Sequence, residues 1–182
     1  MSTPDRPVPL AQPRITLRPA LPADVRAIDA LVQPLAAEKI LLGKELVAYY
    51  EAVQEFMVAE DAAGAIVGCG ALHVMWEDLA EVRTLAVDQS LRGAGVGHLM
   101  LEALLDRACD LGLARVFCLT FEVDFFARHG FQVMPESPLP TDVYVQLLRS
   151  PDEGVAEFLD LARVKPNTLG NTRMIVDLAA RD

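Results

Sequence analysis

The sequence is poor in cysteine and in positive charge, and each shortage excludes a class of protein. Its cysteines, Cys69, Cys109 and Cys118, form no CxxC pair, so neither a disulfide framework nor a zinc motif is indicated. With 26 acidic and 16 basic residues, the net charge is −10, which argues against binding to nucleic acid or to an anionic membrane. We expect reduced, mostly buried thiols in a cytoplasmic protein.

Long apolar runs are missing as well. No stretch approaches the roughly 18–20 apolar residues of a membrane span. Residues 1–12 carry prolines at positions 4, 7 and 9 and no apolar core of a signal peptide, so we expect a disordered leader there. Residues 13–182 are predicted to form one domain, because a chain of 182 residues that is 52% hydrophobic can bury a full core without disulfides.

The apolar periodicity predicts a mixed α/β domain, because segments of period two alternate with segments of helical period. A turn with an acidic tip is expected at 76–78. The predicted strands are 14–18, 56–60, 65–75, 79–87, 115–120 and 171–178, and the predicted helices are 24–33, 44–53, 95–111 and 124–129, with two more within 139–163.

A glycine-rich segment between a strand and a helix is the strongest motif. Residues 92–98 read Arg-Gly-Ala-Gly-Val-Gly-His. Glycines let backbone N–H groups approach a phosphate closely, and the first turn of a helix offers N–H groups at the positive end of the dipole. The segment lacks the Lys-Ser/Thr pair of a P-loop and the full spacing of a dinucleotide fingerprint. It predicts a pyrophosphate site built mainly from backbone, against the alternative of a glycine-rich turn without a ligand.

The motif closely resembles the acetyl-CoA segment of the GCN5-related N-acetyltransferase (GNAT) superfamily, with Glu81-Val-Arg-Thr-Leu-Ala-Val before it and Phe125-Phe-Ala-Arg-His-Gly-Phe after it. The resemblance implies an α/β (α+β) domain with a twisted, mostly antiparallel sheet and helices on both faces. Strands 79–87 and 115–120 would splay apart and admit the pantetheine arm of acetyl-CoA. The implied contacts are Leu85, Ala86 and Val87 for the pantetheine or acetyl group, and Arg92, Gly93, Ala94, Gly95, Val96, Gly97 and His98 for the pyrophosphate.

Acetyl transfer to an amine needs a base and a route for the proton. The resemblance places Glu81 where lysine acetyltransferases of this superfamily keep a glutamate base, and Glu122 is the second candidate. The alternative for Glu81 is a structural carboxylate paired with a nearby cation. Strand alternation predicts that Glu81, Arg83, Leu85 and Val87 share one face.

No residue of the sequence can be assigned as the general acid. Many members of the superfamily have a tyrosine before the Gly-Phe pair that protonates the departing thiolate, and this chain has Phe126 there. Tyr144 is an alternative that nothing in the sequence positions. The acid is therefore unassigned.

Finer segments resemble amino-acid N-acetyltransferases of the N-acetylglutamate synthase type, over about residues 14–178. These are 40–46, 56–60, 68–73 and 165–174. The resemblance implies acetylation of the α-amine of L-glutamate, the first step of arginine biosynthesis, with L-glutamine as the alternative acceptor. It also implies feedback inhibition by arginine and a homodimer. Binding glutamate means neutralising carboxylates, preferably with bidentate arginine. The predicted substrate ligands are Arg83, Lys44 and Arg173.

Two other functions stay open on the sequence alone. The acidic surface suits a cationic acceptor such as a protein lysine, a polyamine or an aminoglycoside. The absent tyrosine is compatible with a non-catalytic acetyl-CoA sensor. No metal is expected, because only three histidines are present and no ligand spacing is recognisable.

Overall fold

The computed structural model describes residues 14–134, 139–152, 155, 159 and 170–181. The leader predicted at 1–12 lies outside these ranges, and so does most of the second helix predicted within 139–163. No helix among the described residues is long and apolar enough to cross a membrane.

One mixed sheet organises the chain. Its strands lie in the order β1-β2-β3-β4-β5-β7-β6, and every neighbouring pair is antiparallel except β4 and β5, which run parallel. This confirms the predicted mixed, mostly antiparallel sheet. The strands are β1 (Thr16–Pro19), β2 (Phe56–Glu60), β3 (Ile66–Trp76), β4 (Leu79–Val87), β5 (Arg115–Thr120), β6 (Gln132–Val133) and β7 (Thr172–Asp177).

Helices cover both faces of the sheet, as predicted. The α-helices of the described ranges are α1 (Val25–Ala37), α2 (Leu46–Glu51), α3 (Val96–Asp110), α4 (Val123–Ala127) and α5 (Thr141–Leu147). The prediction ended the first helix at residue 33, but α1 continues through Pro34. Pro34 has no N–H to donate, yet it lies in the last turn, and its carbonyl still accepts a hydrogen bond from Glu38 N at 3.2 Å.

The helices pack against both faces of the sheet, and two of the apolar clusters of the core show this. Against one face, α3 buries Leu101, Leu104 and Leu105 with Ala80 and Val82 of β4. Each leucine buried in this way contributes about 2 kcal/mol. Against the other face, α1 packs over the sheet, and that cluster consists of Val25, Ile28, Val32, Tyr49, Phe56, Val58, Cys69, Ala71 and Ala86.

Two of the three cysteines belong to these two clusters. Cys69 and Cys118 are buried, as predicted, and burial raises the pKa of the Cys69 thiol to about 12. Cys109 is exposed, so the expected burial holds for two of the three cysteines. On α3 the core positions are Leu105 and Ala108, which leaves Cys109 on the solvent side of the helix.

Candidate active site

The parallel strands β4 and β5 pair over only four residues. The register runs from Leu79 opposite Arg115 to Val82 opposite Cys118. Beyond that point β4 stays paired with β3 as far as Val87, whereas β5 stays paired with β7 as far as Thr120. The strands β4 and β5 therefore diverge toward their carboxyl ends and leave a gap between them, where the sequence predicted that they splay apart.

A β-bulge at Thr84 changes which side chains share a face. Ala86 lies opposite Cys69 and Arg83 opposite Ala71, so β4 uses one residue more than β3 across this interval. Thr84 absorbs the extra residue with a φ of 55°, a conformation that is uncommon outside glycine. Because one inserted residue reverses the alternation, the residues after the bulge change face.

The bulge overturns the prediction that four residues of β4 lie on one face. Leu85 and Val87 pack in the cluster of Val96 and Met100 on the α3 side. Ala86 instead joins the cluster beneath α1. Glu81 and Arg83 lie on that same opposite face, because the residues that precede them, Ala80 and Val82, belong to the α3 cluster.

The glycine-rich segment forms an open turn at the start of α3. Gly95 is the N-cap residue of α3, and both Gly93 and Gly95 have a φ of 84°. A Cβ built on either glycine meets no atom within 4 Å, so their backbone conformation, and not a lack of space, requires glycine. With the first N–H groups of α3 behind it, this turn is suited to a phosphate.

Charged and aromatic side chains surround this turn. The side chains of Arg92 and Glu122 are mostly exposed, with Arg92 Nη2 3.8 Å from Glu122 Oε1. Glu122, the second candidate base, therefore lies beside the phosphate turn. His98 is exposed and its Nδ1 shares a hydrogen bond with His129 Nε2 at 2.7 Å, while His129 Nδ1 donates to Glu102 at 2.5 Å.

Glu81 is a buried carboxyl group on the face opposite α3. Its exposed fraction is 5%, and its neighbours across the strands are His73 on β3 and Phe117 on β5. Burial raises the pKa of Glu81 above its ordinary value, and the adjacent Arg83 guanidinium opposes this shift. A carboxyl group with a raised pKa is suited to accept a proton near neutral pH.

Arg83 joins Glu81 to a residue far away in the sequence. Its Nε–H donates to Glu81 Oε2 at 2.6 Å. Its two terminal nitrogens donate to the two carboxylate oxygens of Asp152, at 3.0 and 2.5 Å. These hydrogen bonds hold the pKa of Asp152 below its usual value, although burial alone would raise it.

A histidine lies at the edge of this group. His73 Nδ1 donates to Glu55 Oε1 at 2.7 Å, and its Nε2 is 3.9 Å from Asp152 Oδ2. The sequence offered no partner for His73, because Glu55 belongs to the turn before β2. We call Glu55, His73, Glu81, Arg83 and Asp152 the acceptor-face cluster.

The other two predicted substrate ligands occupy different surroundings. Arg173 on β7 lies opposite Leu119 of β5, one residue beyond the last β4–β5 pair of Val82 and Cys118, so it borders the gap that opens between these strands. Arg83 follows Val82 on the β4 side of the same gap. Lys44 is exposed, two residues before α2, and is joined neither to Glu81 nor to Arg83 in the described structure.

Two further side chains leave the general acid unassigned. Phe126 is buried and packs edge-on against Phe131, with ring centroids 5.1 Å apart. Tyr144 packs against the apolar cluster that contains Phe117. Cys118 also lies in the α3 cluster. Burial raises the pKa of its thiol well above the ordinary value, so this side chain belongs to the packed core.

Comparison with known proteins gives the family. The model of the acetyltransferase (GNAT) domain matches residues 52–133. An amino-acid acetyltransferase from Mycobacterium tuberculosis is 56% identical over 167 residues, which cover 91% of this chain and 95% of that protein. The chain belongs to the GNAT family. It falls in the amino-acid acetyltransferase group of that family and uses acetyl-CoA as co-substrate.

Solved GNAT structures agree with this placement. Rv2747 from M. tuberculosis, in complex with CoA and NLQ, is 55% identical with a TM-score of 0.84, over 89% of this chain and 98% of that chain. N-acetylglutamate synthase from Neisseria gonorrhoeae, complexed with coenzyme A and N-acetyl-glutamate, is 26% identical with a TM-score of 0.74, over 91% of this chain and 35% of that chain. The same synthase complexed with coenzyme A and L-arginine gives 25% identity and a TM-score of 0.68, over 90% of this chain and 33% of that chain.

The geometry of this GNAT domain fits acetyl-CoA. The turn at Gly93 and Gly95 is open to a pyrophosphate, and the gap between β4 and β5 lies directly after the paired ends of those strands. Among the described residues, no cluster of histidine, cysteine or carboxylate side chains is suited to hold a metal.

Sequence reasoning missed the partner of Arg83 in this GNAT domain. Asp152 was not among the predicted site residues, and its carboxylate also accepts a hydrogen bond from Val155 N at 3.0 Å. Its contact with Arg83 spans 69 residues of sequence. A buried-strand arginine next to a glutamate was the available signal, because such a cation needs more than one partner.

Proposed function

We propose that this chain transfers the acetyl group of acetyl-CoA to the α-amine of L-glutamate or L-glutamine. The observation that carries the proposal is the bidentate carboxylate on Arg83, directly beside Glu81. Asp152 shows that the guanidinium fork accepts a carboxylate at this place, and an amino acid brings one within a few bonds of its amine. N-acetyl-glutamate in the Neisseria synthase supports the same acceptor class.

The proposed reaction is a direct transfer. The neutral amine attacks the thioester carbonyl, the N–C bond forms, the C–S bond breaks, and coenzyme A leaves as the thiolate. Glu81 takes the proton of the amine, directly or through water, and its raised pKa suits this role. An acyl-enzyme route through Cys118 is disfavoured, because that thiol is buried on the α3 side of the sheet.

A cationic acceptor is the second candidate, and one observation favours it. The acceptor-face cluster holds three carboxyl groups, those of Glu55, Glu81 and Asp152, against the single permanent cation Arg83. The whole chain has a net charge of −10. Such a field attracts a polyamine, a lysine side chain or an aminoglycoside more strongly than it attracts glutamate.

An acceptor panel separates the two candidates. Thiol release from acetyl-CoA is measured with L-glutamate, L-glutamine, L-aspartate, L-lysine, spermidine and a basic peptide, each at several concentrations. The proposal predicts turnover with glutamate or glutamine and a kcat/KM at least tenfold lower for the cationic acceptors. Turnover confined to cationic acceptors would contradict it and establish the second candidate.

The resemblance also extends to a pathway and its control. The product N-acetylglutamate begins arginine biosynthesis, and L-arginine occupies one of the Neisseria structures. We propose the same pathway here, with arginine as feedback inhibitor and a homodimer as the assembly. Inhibition of thiol release by L-arginine but not by L-lysine, together with a dimer mass by light scattering, tests both parts.

A further inference from the structure

Each of the three nitrogens of the Arg83 guanidinium donates to a carboxylate in this structure. Its Nε donates to Glu81, and both terminal nitrogens donate to the carboxylate of Asp152. The Arg83 side chain is only 13% exposed. A substrate carboxylate can therefore bind this fork only if Asp152 gives up its place.

Asp152 is attached to the protein in a way that permits such an exchange. Its Oδ1 accepts from Val155 N at 3.0 Å, and its own N–H donates to Ser150 Oγ at 3.2 Å. These bonds tie Asp152 to Ser150 and Val155, and they do not involve Arg83. The Asp152 side chain is 28% exposed, in contrast to the buried Glu81.

A second group beside Asp152 can receive it. His73 Nε2 lies 3.9 Å from Asp152 Oδ2, slightly beyond hydrogen-bond distance, and Glu55 holds the ring through Nδ1. A side-chain rotation of Asp152 away from Arg83 toward His73 would give the carboxylate a new donor when the His73 ring is an imidazolium, because Glu55 already takes the proton on Nδ1.

We propose that Asp152 is a specificity-determining residue that competes with the carboxylate of the acceptor for the guanidinium fork of Arg83. The inference rests on the proposed function. In the absence of acceptor, Asp152 occupies the fork; an acceptor that carries a carboxylate displaces it and thereby places its amine beside Glu81. Acceptors without a carboxylate, such as polyamines, gain nothing from the exchange.

The test compares Asp152→Asn with Asp142→Asn as a matched control. The side-chain oxygen of asparagine can still accept the hydrogen bond from Val155 N, so this contact is retained while the competing charge is lost. Asp142 is an exposed carboxylate in the first turn of α5 that takes no part in the cluster. We expect the KM for L-glutamate to fall about tenfold in Asp152→Asn, with the KM for acetyl-CoA unchanged and Asp142→Asn like the wild type. An unchanged or raised KM for glutamate in Asp152→Asn would overturn the proposal.

A binding experiment separates this proposal from the proposed function. Glutarate, a dicarboxylate without an amine, is titrated calorimetrically into each protein in the presence of coenzyme A. Competition predicts that glutarate binds Asp152→Asn about tenfold more tightly than the wild type, whichever acceptor the enzyme acetylates. Equal affinities, or no binding to either protein, would overturn the competition. Absence of turnover with all amino acids, together with tighter glutarate binding to the variant, would overturn only the choice of acceptor.

Discussion

The Nε–H of Arg83 donates a 2.6 Å hydrogen bond to Oε2 of Glu81, two residues earlier on β4. The candidate base and the candidate carboxylate anchor are thereby one hydrogen-bonded unit on one face of a single strand. An amino acid whose carboxylate binds Arg83 has its α-amine two bonds away from that carboxylate carbon. The separation of the two protein groups thus suits an α-amino acid.

Replacing Glu81 by glutamine tests the base. Glutamine can still accept the hydrogen bond from Arg83, so the strand geometry is kept while proton acceptance is lost. We expect kcat to fall about 10²- to 10⁴-fold, with little change in the KM for acetyl-CoA. Steady-state kinetics by thiol release measure both quantities.

The pH profile provides a control for that variant. Because burial raises the pKa of Glu81, its carboxyl group ionises at a pH above the ordinary glutamate range, and kcat/KM should rise with pH through that ionisation. The rise should be absent from the residual activity of Glu81→Gln. An identical profile in both proteins would remove Glu81 as the base.

Replacing Arg83 by lysine tests the carboxylate anchor. Lysine keeps the positive charge but lacks the planar fork, so bidentate binding is lost. We expect the KM for L-glutamate to rise tenfold or more, with the KM for acetyl-CoA unchanged. Arg115→Lys is the matched control, because Arg115 pairs with Asp78 at 2.7 Å at the opposite end of the β4–β5 pair. If both variants bind glutamate equally well, Arg83 is not the anchor.

Replacing Gly95 by alanine tests the phosphate turn. An alanine at a φ of 84° is strained by about 1 kcal/mol, although it meets no atom within 4 Å. We expect a several-fold higher KM for acetyl-CoA, because the turn that presents its N–H groups is distorted. Gly64→Ala, with a φ of 81° in the β2–β3 turn, carries the same strain away from the site. Calorimetry should show similar losses of stability, and only Gly95→Ala should change the KM.

An ion pair between β1 and the start of α1 makes stability depend on pH. Arg18 donates to both oxygens of Asp24, at 2.7 and 3.0 Å, and these bonds hold the pKa of that carboxyl below its usual value. The stabilisation is therefore complete above the unfolded pKa of about 4 and is lost as the pH falls through the lower folded pKa.

Asp24→Asn should accordingly unfold more easily than the wild type at pH 7, by about 1–3 kcal/mol. Urea denaturation measures the difference, which should shrink steadily as the pH is lowered below 4. A difference that stays constant down to pH 2 would show that the charge of Asp24 does not stabilise the fold.

The sequence predicted the elements around the site well, because their signals are local. The bounds of β4 and β5 follow from short apolar runs, and the start of α3 follows from the glycines at 93–97. Glycine restricts where a chain can turn, and a helical apolar stripe restricts which side is buried, so both can be found without knowing the fold.

The composition of the acceptor face could not be predicted in the same way. The bulge at Thr84 follows from pairing with β3, and threonine carries no signal for a positive φ. Simple alternation predicted that Leu85 and Val87 share the face of Glu81, but the bulge moves both to the opposite face. The contact between Arg83 and Asp152 likewise depends on how the segment after α5 returns to the sheet.

A crystal structure of the protein with coenzyme A and N-acetyl-glutamate would show directly which groups bind the acceptor. We predict a carboxylate of the product within about 3 Å of the terminal nitrogens of Arg83, the acetylated nitrogen on the side of Glu81, and Asp152 turned away from the fork. A product bound elsewhere, with Asp152 still bidentate on Arg83, would contradict it.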